Sequence, residues 1–341
     1  MIIKENLSKS VAALTLNRAE SLNALNRPLI HSLQTHLKDL ENDQNIMAIV
    51  LKSSISKAFC AGGDIIEVCQ DIRHNKVSEA HQFFKEEYGL HILLRGMKTP
   101  VIAVAEGFSI GGGLGLLNSC AYRIVTETSQ VSMPEALIGF FPDVGASNYL
   151  SASEFGLFLG LSSQRIKAAD ILLCNLADYY IPSQSIKELL NFLSTVASEN
   201  FTQLLQQKLK YLDQKENLKP GPLTENKKFI REVCSAKNIE NFDKQLHLYK
   251  GEDPWILKAI ENFNYSSKHS LKFIFKQLKQ KRDWLGNAKK LFDKEYKMAT
   301  YFVKHPDLLE GVRALLEDKD KKPSWKEKSY QQIVISEEIF N

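Results

Sequence analysis

Three short apolar runs constrain the fold of this chain more than any other feature of its sequence. They cover residues 11–16, 47–52 and 101–105, and turn residues bound each of them. Runs of this length, rich in Val, Ile, Leu and Ala, are typical of strands buried on both faces. Helical patterns separate the runs, so the sequence predicts an α/β core over residues 1 to 150.

A helix is predicted between the first two runs. Asn26 can cap its N-terminus and Pro28 suits its first turn. Its apolar face consists of Leu29, Ile30, Leu33, Leu37 and Leu40. From about residue 154 onward the pattern becomes almost wholly helical, and residues 271–278 carry an apolar stripe. The predicted fold class is therefore α/β, with a helical C-terminal region.

The length of 341 residues indicates two domains, or one domain with a long appendage. We divide the chain into a core over residues 1–185 and a mainly helical region over residues 186–341. The clearest helix breaker, Lys219-Pro220-Gly221-Pro222, lies in the polar stretch 213–228. It predicts an exposed connection.

Composition excludes several classes of protein. No apolar run approaches the roughly 20 residues that a bilayer span needs. The first residues lack both an apolar leader and an Arg-rich transit pattern, so we expect a cytoplasmic protein with no membrane partner. The five cysteines are scattered and form no CxxC, which predicts reduced, mostly buried thiols.

The net charge of +4 is unevenly distributed. Residues 1–150 carry 13 Lys and Arg against 15 Asp and Glu, whereas residues 151–341 carry 31 against 25. Acidic residues are interleaved throughout the basic half, and no motif for reading nucleic acid accompanies it. We therefore predict solvated helix faces and no nucleic-acid partner.

Two glycine-rich segments each follow a predicted strand and open a helix. The first is FCAGGD at residues 59–64, and the second is GFSIGGGLG at residues 107–115. Small residues let a ligand approach the bare backbone, where helix-initiating N–H groups bind oxygen. If the turns are neighbours, the N–H groups of Ala61 and Gly112 could form an oxyanion hole, which contributes about 3 to 4 kcal/mol per donor. Alternatively, the glycines only allow close packing of helices.

Asp64 has a structural interpretation. With Glu67 three residues later, it is predicted to cap the following helix in a capping box.

A third segment, residues 133–145, places Glu135 and Asp143 among apolar residues, prolines and glycines. Burial would raise the pKa of both carboxyl groups and must be compensated by a partner or a task. The alternative is that each caps a helix, Glu135 after Pro134 and Asp143 before a helix from Ala146.

Taken together with LNR at 16–18 and LNAL at 22–25, these segments resemble the enoyl-CoA hydratase/isomerase (crotonase) family. The resemblance covers about residues 10 to 185. It implies a ββα spiral core with a helical C-terminal region, an acyl-CoA substrate, and oxyanion-hole donors at Ala61 and Gly112. Coenzyme A is then part of the substrate, and no separate cofactor is implied.

The acidic residues indicate which branch of the family the chain resembles. Hydratases of this family use two glutamates, but this chain has Gly115 at the first position and keeps only Glu135. The phrase that contains Asp143 is similar to that of the 3-hydroxyisobutyryl-CoA hydrolase branch. Two further passages are similar to the same branch: Glu87, which matches a substrate-contacting glutamate, and residues 310–325. This branch implies hydrolysis of a short 3-hydroxyacyl-CoA in valine catabolism.

The roles implied for the site follow from this branch. Glu135 acts either as a nucleophile or as a general base. Asp143, together with Glu87, holds the substrate hydroxyl or positions a water. The implied substrate contacts are Glu87, Gly112, Glu135 and Asp143. Residues 145–149 depart from the family's usual glycines and residues 185–255 match little, so the acyl group stays open.

Three alternatives remain. The first is an isomerase or hydratase of the same fold that uses Glu135 alone. The second is a serine hydrolase, because GFSIG at 107–111 matches GxSxG. Its triad would join Ser109 to Asp170 or Asp178 and to His247, His269 or His305. The third is a scaffold without activity that binds RNA or a protein.

The sequence offers no pattern for a metal. Its eight histidines show neither HxH nor HExxH spacing, so we predict a reaction without metal ligands. The oligomeric state stays open, a homo-oligomer included.

Overall fold

The computed structural model describes residues 1–196, 199–280 and 282–340. Its strands are β1 (Ile2–Asn6), β2 (Val11–Leu16), β3 (Ala48–Ser53), β4 (Ala58–Cys60), β5 (Val101–Ala105), β6 (Phe108–Ile110), β7 (Tyr122–Val125), β8 (Gln130–Ser132), β9 (Ile166–Lys167) and β10 (Tyr179–Tyr180). The first eight helices are α1 (Arg27–Asn42), α2 (Ile65–Arg73), α3 (Val77–Gly96), α4 (Gly112–Asn118), α5 (Ala146–Tyr149), α6 (Gly156–Ser162), α7 (Ala168–Leu173) and α8 (Ser183–Thr195). The later helices are α9 (Phe201–Leu212), α10 (Pro222–Glu225), α11 (Lys227–Cys234), α12 (Ile239–Leu246), α13 (Pro254–Tyr265), α14 (Lys268–Lys279), α15 (Ala288–Val303) and α16 (Pro306–Val312).

The chain divides into two compact units, each made of three segments. Unit 1 comprises Met1–Gly63, Gly89–Val131 and Ile166–Gly221. Unit 2 comprises Asp64–Tyr88, Ser132–Arg165 and Pro222–Asn341. These units alternate along the chain, and the predicted domain boundary at residue 185 stays a prediction. The predicted breaker at 219–222 contains the last change of unit, and Lys219 and Pro220 are exposed as expected.

Unit 1 contains every strand residue of the described chain except Ser132. A six-stranded sheet has the order β1-β2-β3-β5-β7-β10, and a four-stranded sheet has the order β4-β6-β8-β9. In the larger sheet β1 pairs antiparallel with β2, whereas the following strands pair in parallel. Its apolar residues pack against α8 and α9, which bury Leu189, Leu193, Leu205 and Leu209. This packing supplies the core of unit 1.

The predicted α/β core is confirmed. Strands β2 and β5 have the predicted bounds, and β3 begins one residue later than expected. The Asn26 side chain accepts the N–H of Leu29 and caps α1, whose five predicted apolar residues are all buried. The helical C-terminal region is confirmed too, except for the two-residue strands β9 and β10. Strands so short show no period-2 pattern in a sequence.

The two glycine-rich turns of unit 1 are neighbours. Strand β4 pairs in parallel with β6, with Ala58 opposite Phe108 and Cys60 opposite Ser109. A Cβ atom on Gly113 would lie 2.0 Å from the carbonyl oxygen of Cys60. Glycine is therefore required for this approach of the two backbones.

Unit 2 is mainly helical around an aromatic core. Phe140 stacks on Phe84 with ring centroids 5.4 Å apart, and Phe141 stacks on Phe302 at 5.3 Å. The predicted stripe of α14 is buried, at Leu271, Ile274, Phe275 and Leu278.

Two predictions from composition can be compared with the structure. Four of the five cysteines are buried, Cys234 is half-buried, and none of the five is joined to another in a disulfide. Over the described ranges, we find no helix with the length and apolar character of a membrane span.

The close approach at Gly113 predicts a large effect of one methyl group. Gly113→Ala should lower the free energy of unfolding by about 1 to 3 kcal/mol, because the new Cβ overlaps backbone that cannot rotate away. Gly96→Ala is the matched control, since a Cβ there meets nothing within 4 Å. Urea denaturation of both variants measures the effect. Equal stability of the two variants would contradict the described contact.

Candidate functional site

The predicted oxyanion-hole residues lie on the two neighbouring turns of unit 1. Gly112 is the first residue of α4, where backbone N–H groups have no partner within the helix. A Cβ on Gly62 would lie 2.8 Å from the oxygen of Ile110 and 3.3 Å from the nitrogen of Gly112. The bare backbone of Gly62 therefore leaves room beside the Gly112 N–H.

Ala61 differs from the expectation in one respect. Its N–H donates to the carbonyl oxygen of Leu22 at 3.0 Å. A ligand oxygen would have to share this donor in a three-centre hydrogen bond.

The predicted capping box at α2 is wrong. Asp64 occupies the N-cap position, but its side chain makes no capping hydrogen bond. Its backbone has φ −76° and ψ 73°, outside the extended conformation that directs an N-cap side chain toward the helix.

Unit 2 contains a cluster of buried carboxyl groups, which we call the acidic cluster: Glu87, Glu135, Asp143 and Glu295. Their exposed fractions are 2% for Glu87, 6% for Glu135, 5% for Asp143 and 0% for Glu295. Asp and Glu side chains are almost never buried to this degree unless they have an interaction partner. The prediction that Glu135 and Asp143 are buried is therefore confirmed, and Glu87 shares their environment.

Asp143 is held by a tyrosine. The Tyr88 hydroxyl donates to Oδ2 of Asp143 at 2.6 Å. Burial raises the pKa of the Asp143 carboxyl to about 7, although the hydrogen bond from Tyr88 opposes this shift. Tyr88 is a site residue that the sequence analysis missed, although it directly follows Glu87.

Glu87 and Glu135 have spare hydrogen-bonding capacity. Burial raises the pKa of both carboxyl groups well above the ordinary value, and repulsion by Asp143 raises it further. Within the described ranges, Oε1 of Glu87 and Oε2 of Glu135 have no hydrogen-bond partner. Such oxygens can accept a proton or a hydrogen bond from a bound molecule.

Glu295 was also missed by the sequence analysis. Its carboxyl group accepts the N–H of Gly145 at 2.6 Å and the N–H of Ser147 at 3.0 Å. Burial, followed by repulsion from Asp143, raises its pKa to about 8. The sequence feature that could have revealed Glu295 is its position within the apolar stripe of α15. The other buried residues of this stripe are Leu291, Phe292, Met298, Ala299, Phe302 and Val303.

The capping alternatives for the two predicted acids are not supported. Glu135 opens a 3-10 helix, Glu135–Ile138, but the N-cap residue is Pro134. Helix α5 does begin at Ala146, yet its N-cap residue is Gly145, and the Asp143 side chain makes no cap there. Both carboxyl groups are thus buried for another reason.

The serine-hydrolase alternative lacks its base. Ser109 is buried in β6, and its Oγ has no hydrogen-bond partner in the part of the chain that the structure describes. The proposed partners make other contacts, since Asp178 pairs with Arg123, and His269 bonds to the Tyr301 hydroxyl. A nucleophilic serine needs a base within hydrogen-bonding distance.

Three side chains of unit 2 could be considered for a metal. His269, His305 and Glu327 each offer a ligand atom within 4.8 Å of the others, a cluster without a spacing signal in the sequence. However, Nδ1 of His305 accepts the N–H of Asp307 at 3.3 Å. In a neutral ring the proton then lies on Nε2, the atom that a metal would need. The arrangement fits a histidine–carboxylate pair better, with Nε2 3.5 Å from Glu327.

Comparison with known proteins decides the family. The family model described as "Enoyl-CoA hydratase/isomerase" matches residues 11–339. The chain belongs to this family. The resemblance inferred for residues 10 to 185 therefore extends over nearly the whole sequence.

Two relatives of this chain carry the same enzyme name. The chain is similar to the mitochondrial 3-hydroxyisobutyryl-CoA hydrolase of Xenopus laevis, with 33% identity over 94% of this chain and 83% of that protein. It is 32% identical to the same enzyme of Gallus gallus, over 94% of this chain and 83% of the other. Because these relatives are named as mitochondrial, the cytoplasmic location predicted here stays a prediction.

A solved structure supports the fold. The chain is similar to the crystal structure of an enoyl-CoA hydratase from Rhodobacter sphaeroides 2.4.1, with a TM-score of 0.85 and 26% identity. The match covers 99% of this chain and 95% of that one. The predicted crotonase-type α/β fold is confirmed.

The acidic cluster predicts an unusual dependence of stability on pH. The folded state raises the Asp143 pKa from 3.8 to about 7 and so favours the protonated form. The stabilisation from this group is complete below its ordinary pKa and is lost as the pH rises through about 7. Asp143→Asn cannot ionise, so its stability relative to the unaltered protein should increase from pH 4 to pH 8.

Urea denaturation across this pH range measures the difference. Asp320→Asn is the control, because Asp320 is exposed and its hydrogen bond with Arg313 lowers the Asp320 pKa. The stability difference for that variant should stay constant between about pH 5 and pH 8. A constant difference for Asp143→Asn as well would contradict the raised pKa.

Proposed function

We propose that this chain hydrolyses short 3-hydroxyacyl-CoA thioesters, and 3-hydroxyisobutyryl-CoA in particular, to the free acid and CoA. The observation that carries the proposal is the burial of Glu135 and Asp143 in one acidic cluster. Relatives named 3-hydroxyisobutyryl-CoA hydrolase, at 33% identity and below, support the same reaction.

In the proposed mechanism, the thioester oxygen binds to backbone N–H groups of Ala61 and Gly112. Charge that develops on this oxygen then meets fixed dipoles, which need no reorganisation during the reaction. The Gly112 N–H stands at a helix start, and the Ala61 N–H would be shared with Leu22.

Glu135 performs the carboxylate chemistry. In one route it attacks the carbonyl carbon, the C–S bond breaks, CoA leaves as a thiolate that takes up a proton, and water hydrolyses the resulting mixed anhydride. In the other it removes a proton from a water that attacks the same carbon, and CoA leaves in the same way. Its unpartnered Oε2 and its raised pKa suit both routes, since a desolvated carboxylate is a stronger base and nucleophile than an exposed one.

Asp143 and Glu87 are proposed to recognise the substrate. The Tyr88 hydroxyl donates to Oδ2 of Asp143, and each oxygen of a carboxylate can accept more than one hydrogen bond, so the group could also accept a 3-hydroxyl group or a water. Glu87 contributes its unpartnered Oε1. A buried acceptor of this kind favours a substrate with a hydroxyl group over one without.

A hydratase or isomerase that uses Glu135 alone is the second candidate. Gly115, where hydratases have their first glutamate, is buried in α4 and supplies no acid. The proposal includes no cofactor besides the CoA of the substrate and no metal. Location in the cytoplasm, a role in valine catabolism and any homo-oligomer remain predictions.

Glu135→Gln tests the central role. The amide keeps the shape but can act neither as nucleophile nor as base, so kcat should fall by several powers of ten, on the order of 4 kcal/mol or more. Substrate binding should be largely unchanged. The assay measures CoA thiol release from 3-hydroxyisobutyryl-CoA, in parallel with the absorbance of a 2-enoyl-CoA.

Ser109→Ala is the control for this assay and should retain activity. Loss of all activity in a folded Ser109→Ala protein would support the serine-hydrolase alternative instead. Consumption of the enoyl-CoA without thiol release would favour the second candidate. More than about a tenth of the original rate in Glu135→Gln would remove Glu135 from the central role.

Asp143→Gly tests substrate recognition. If Asp143 binds the hydroxyl, the variant should lose more kcat/KM on 3-hydroxyisobutyryl-CoA than on isobutyryl-CoA, by roughly 1 to 3 kcal/mol for one hydrogen bond. Equal losses on both thioesters would indicate that Asp143 positions the water. No loss on either would refute a catalytic role, provided that circular dichroism shows a folded variant.

A further inference from the structure

The turn that carries Asp143 has an unfavourable backbone conformation. Val144 has φ 50° and Gly145 has φ 92°, both in the left-handed region. For a β-branched residue such as Val144 this conformation is rare, and it persists only where the surroundings impose it. The direction of the Asp143 side chain depends on this turn, so whatever holds the turn also holds the carboxylate.

Glu295 of α15 holds the turn by accepting hydrogen bonds from backbone N–H groups of the turn. Its two carboxylate oxygens accept from Gly145 at 2.6 Å and from Ser147 at 3.0 Å. A carboxylate has acceptors only, so it matches two converging N–H donors better than any amide or hydroxyl group can. Glu295 is fully buried, at 0% exposure.

Gln277 of α14 holds the same turn by donating hydrogen bonds to oxygen atoms of the turn. Its Nε2 donates to the carbonyl oxygen of Pro142 at 2.6 Å and to Oγ of Ser147 at 2.8 Å. Gln277 is 2% exposed. Two buried polar side chains from different helices therefore bind the segment from Pro142 to Ser147, on both sides of Asp143.

Packing alone does not explain this choice of residues. Apolar side chains of similar volume would fill the same space without the cost of burying a carboxyl group. This cost is real for Glu295, because burial raises its pKa and repulsion by Asp143 raises it further. A second acidic group next to Asp143 is tolerated where its hydrogen bonds to the turn are needed.

We propose that Glu295 and Gln277 are positioning residues, which fix the strained Asp143 turn and thereby the preference for a 3-hydroxyl group. The inference rests on the proposed function, since it assigns substrate recognition to Asp143. Glu295 and Gln277 need not touch the substrate. Their effect passes through the backbone of Gly145, Ser147 and Pro142 to the carboxylate.

Two variants test the proposal. Glu295→Gln keeps the shape but turns an amide NH2 toward one of the two N–H donors. Gln277→Leu removes the donor and leaves Glu295 in place, so it remains useful if Glu295→Gln fails to fold. The matched control is Gln164→Leu, because Gln164 is also buried in unit 2 and donates its amide to one carbonyl oxygen, that of Trp255.

The first measurement is the ratio of kcat/KM for 3-hydroxyisobutyryl-CoA to that for isobutyryl-CoA. This ratio should fall about tenfold in Glu295→Gln, because a small displacement of a binding group is enough to weaken its contact. It should fall in Gln277→Leu as well and stay constant in Gln164→Leu. A loss of stability alone would lower both activities equally and leave the ratio unchanged.

The second measurement is hydrogen exchange of the backbone amides at residues 143–147, without substrate. Exchange there should become faster in Glu295→Gln and Gln277→Leu than in Gln164→Leu. Unchanged exchange in both test variants would overturn the proposal. An unchanged substrate ratio in both variants, when Asp143→Gly does change it, would overturn it too.

Failure of the proposed function gives a different result. If Asp143→Gly itself shows no substrate dependence, the role of Asp143 in binding the hydroxyl is wrong, and the proposed preference is overturned with it. The exchange measurement then still decides whether Glu295 and Gln277 hold the turn.

Discussion

The burial of negative charge determines how the candidate site is built. A carboxylate removed from water loses its hydration, so the fold must provide hydrogen bonds, neutralise the group or leave it to bind a ligand. Asp143 receives the Tyr88 hydroxyl, and Glu295 receives two backbone N–H groups. Glu87 and Glu135 each keep one oxygen without a partner in the described part of the chain. Both oxygens of Glu295 are thus taken up by structural hydrogen bonds, whereas Glu87 and Glu135 each have an oxygen available to a bound molecule.

Mutual repulsion within the acidic cluster separates the protonation states of its members. Burial raises the pKa of Glu87, Glu135 and Glu295, and repulsion by Asp143 raises it further. Groups coupled in this way titrate as a set, so that one carboxylate ionises at the expense of its neighbours. The pKa values of Asp143 and Glu295, raised to about 7 and about 8, allow these two groups to exchange protons near neutral pH.

The family's chemistry is divided between backbone and side chains. The glycine turns of unit 1 depend on backbones that approach where a Cβ atom would overlap, as at Gly113. In the proposed mechanism these turns bind only the thioester oxygen, so they would serve any thioester reaction equally. In the same proposal the side chains select the reaction, because Gly115 replaces the acid expected of a hydratase and Asp143 adds an acid elsewhere. One fold can host several activities in this way.

Local sequence patterns determined the three buried strands β2, β3 and β5, the Asn26 cap, the apolar face of α1 and the glycine turns, because these depend on residues a few positions apart. The burial of Glu135 and Asp143 was predictable for the same reason, since their neighbours are apolar. Only the tertiary structure decided which groups hold them. Tyr88 lies 55 positions from Asp143, and Glu295 lies 150 positions from Gly145. Sequence periodicity cannot reveal contacts between residues so far apart. An acid in the apolar stripe of α15 indicates a buried partner, but only the packing of the helices shows that this partner is the turn of Asp143.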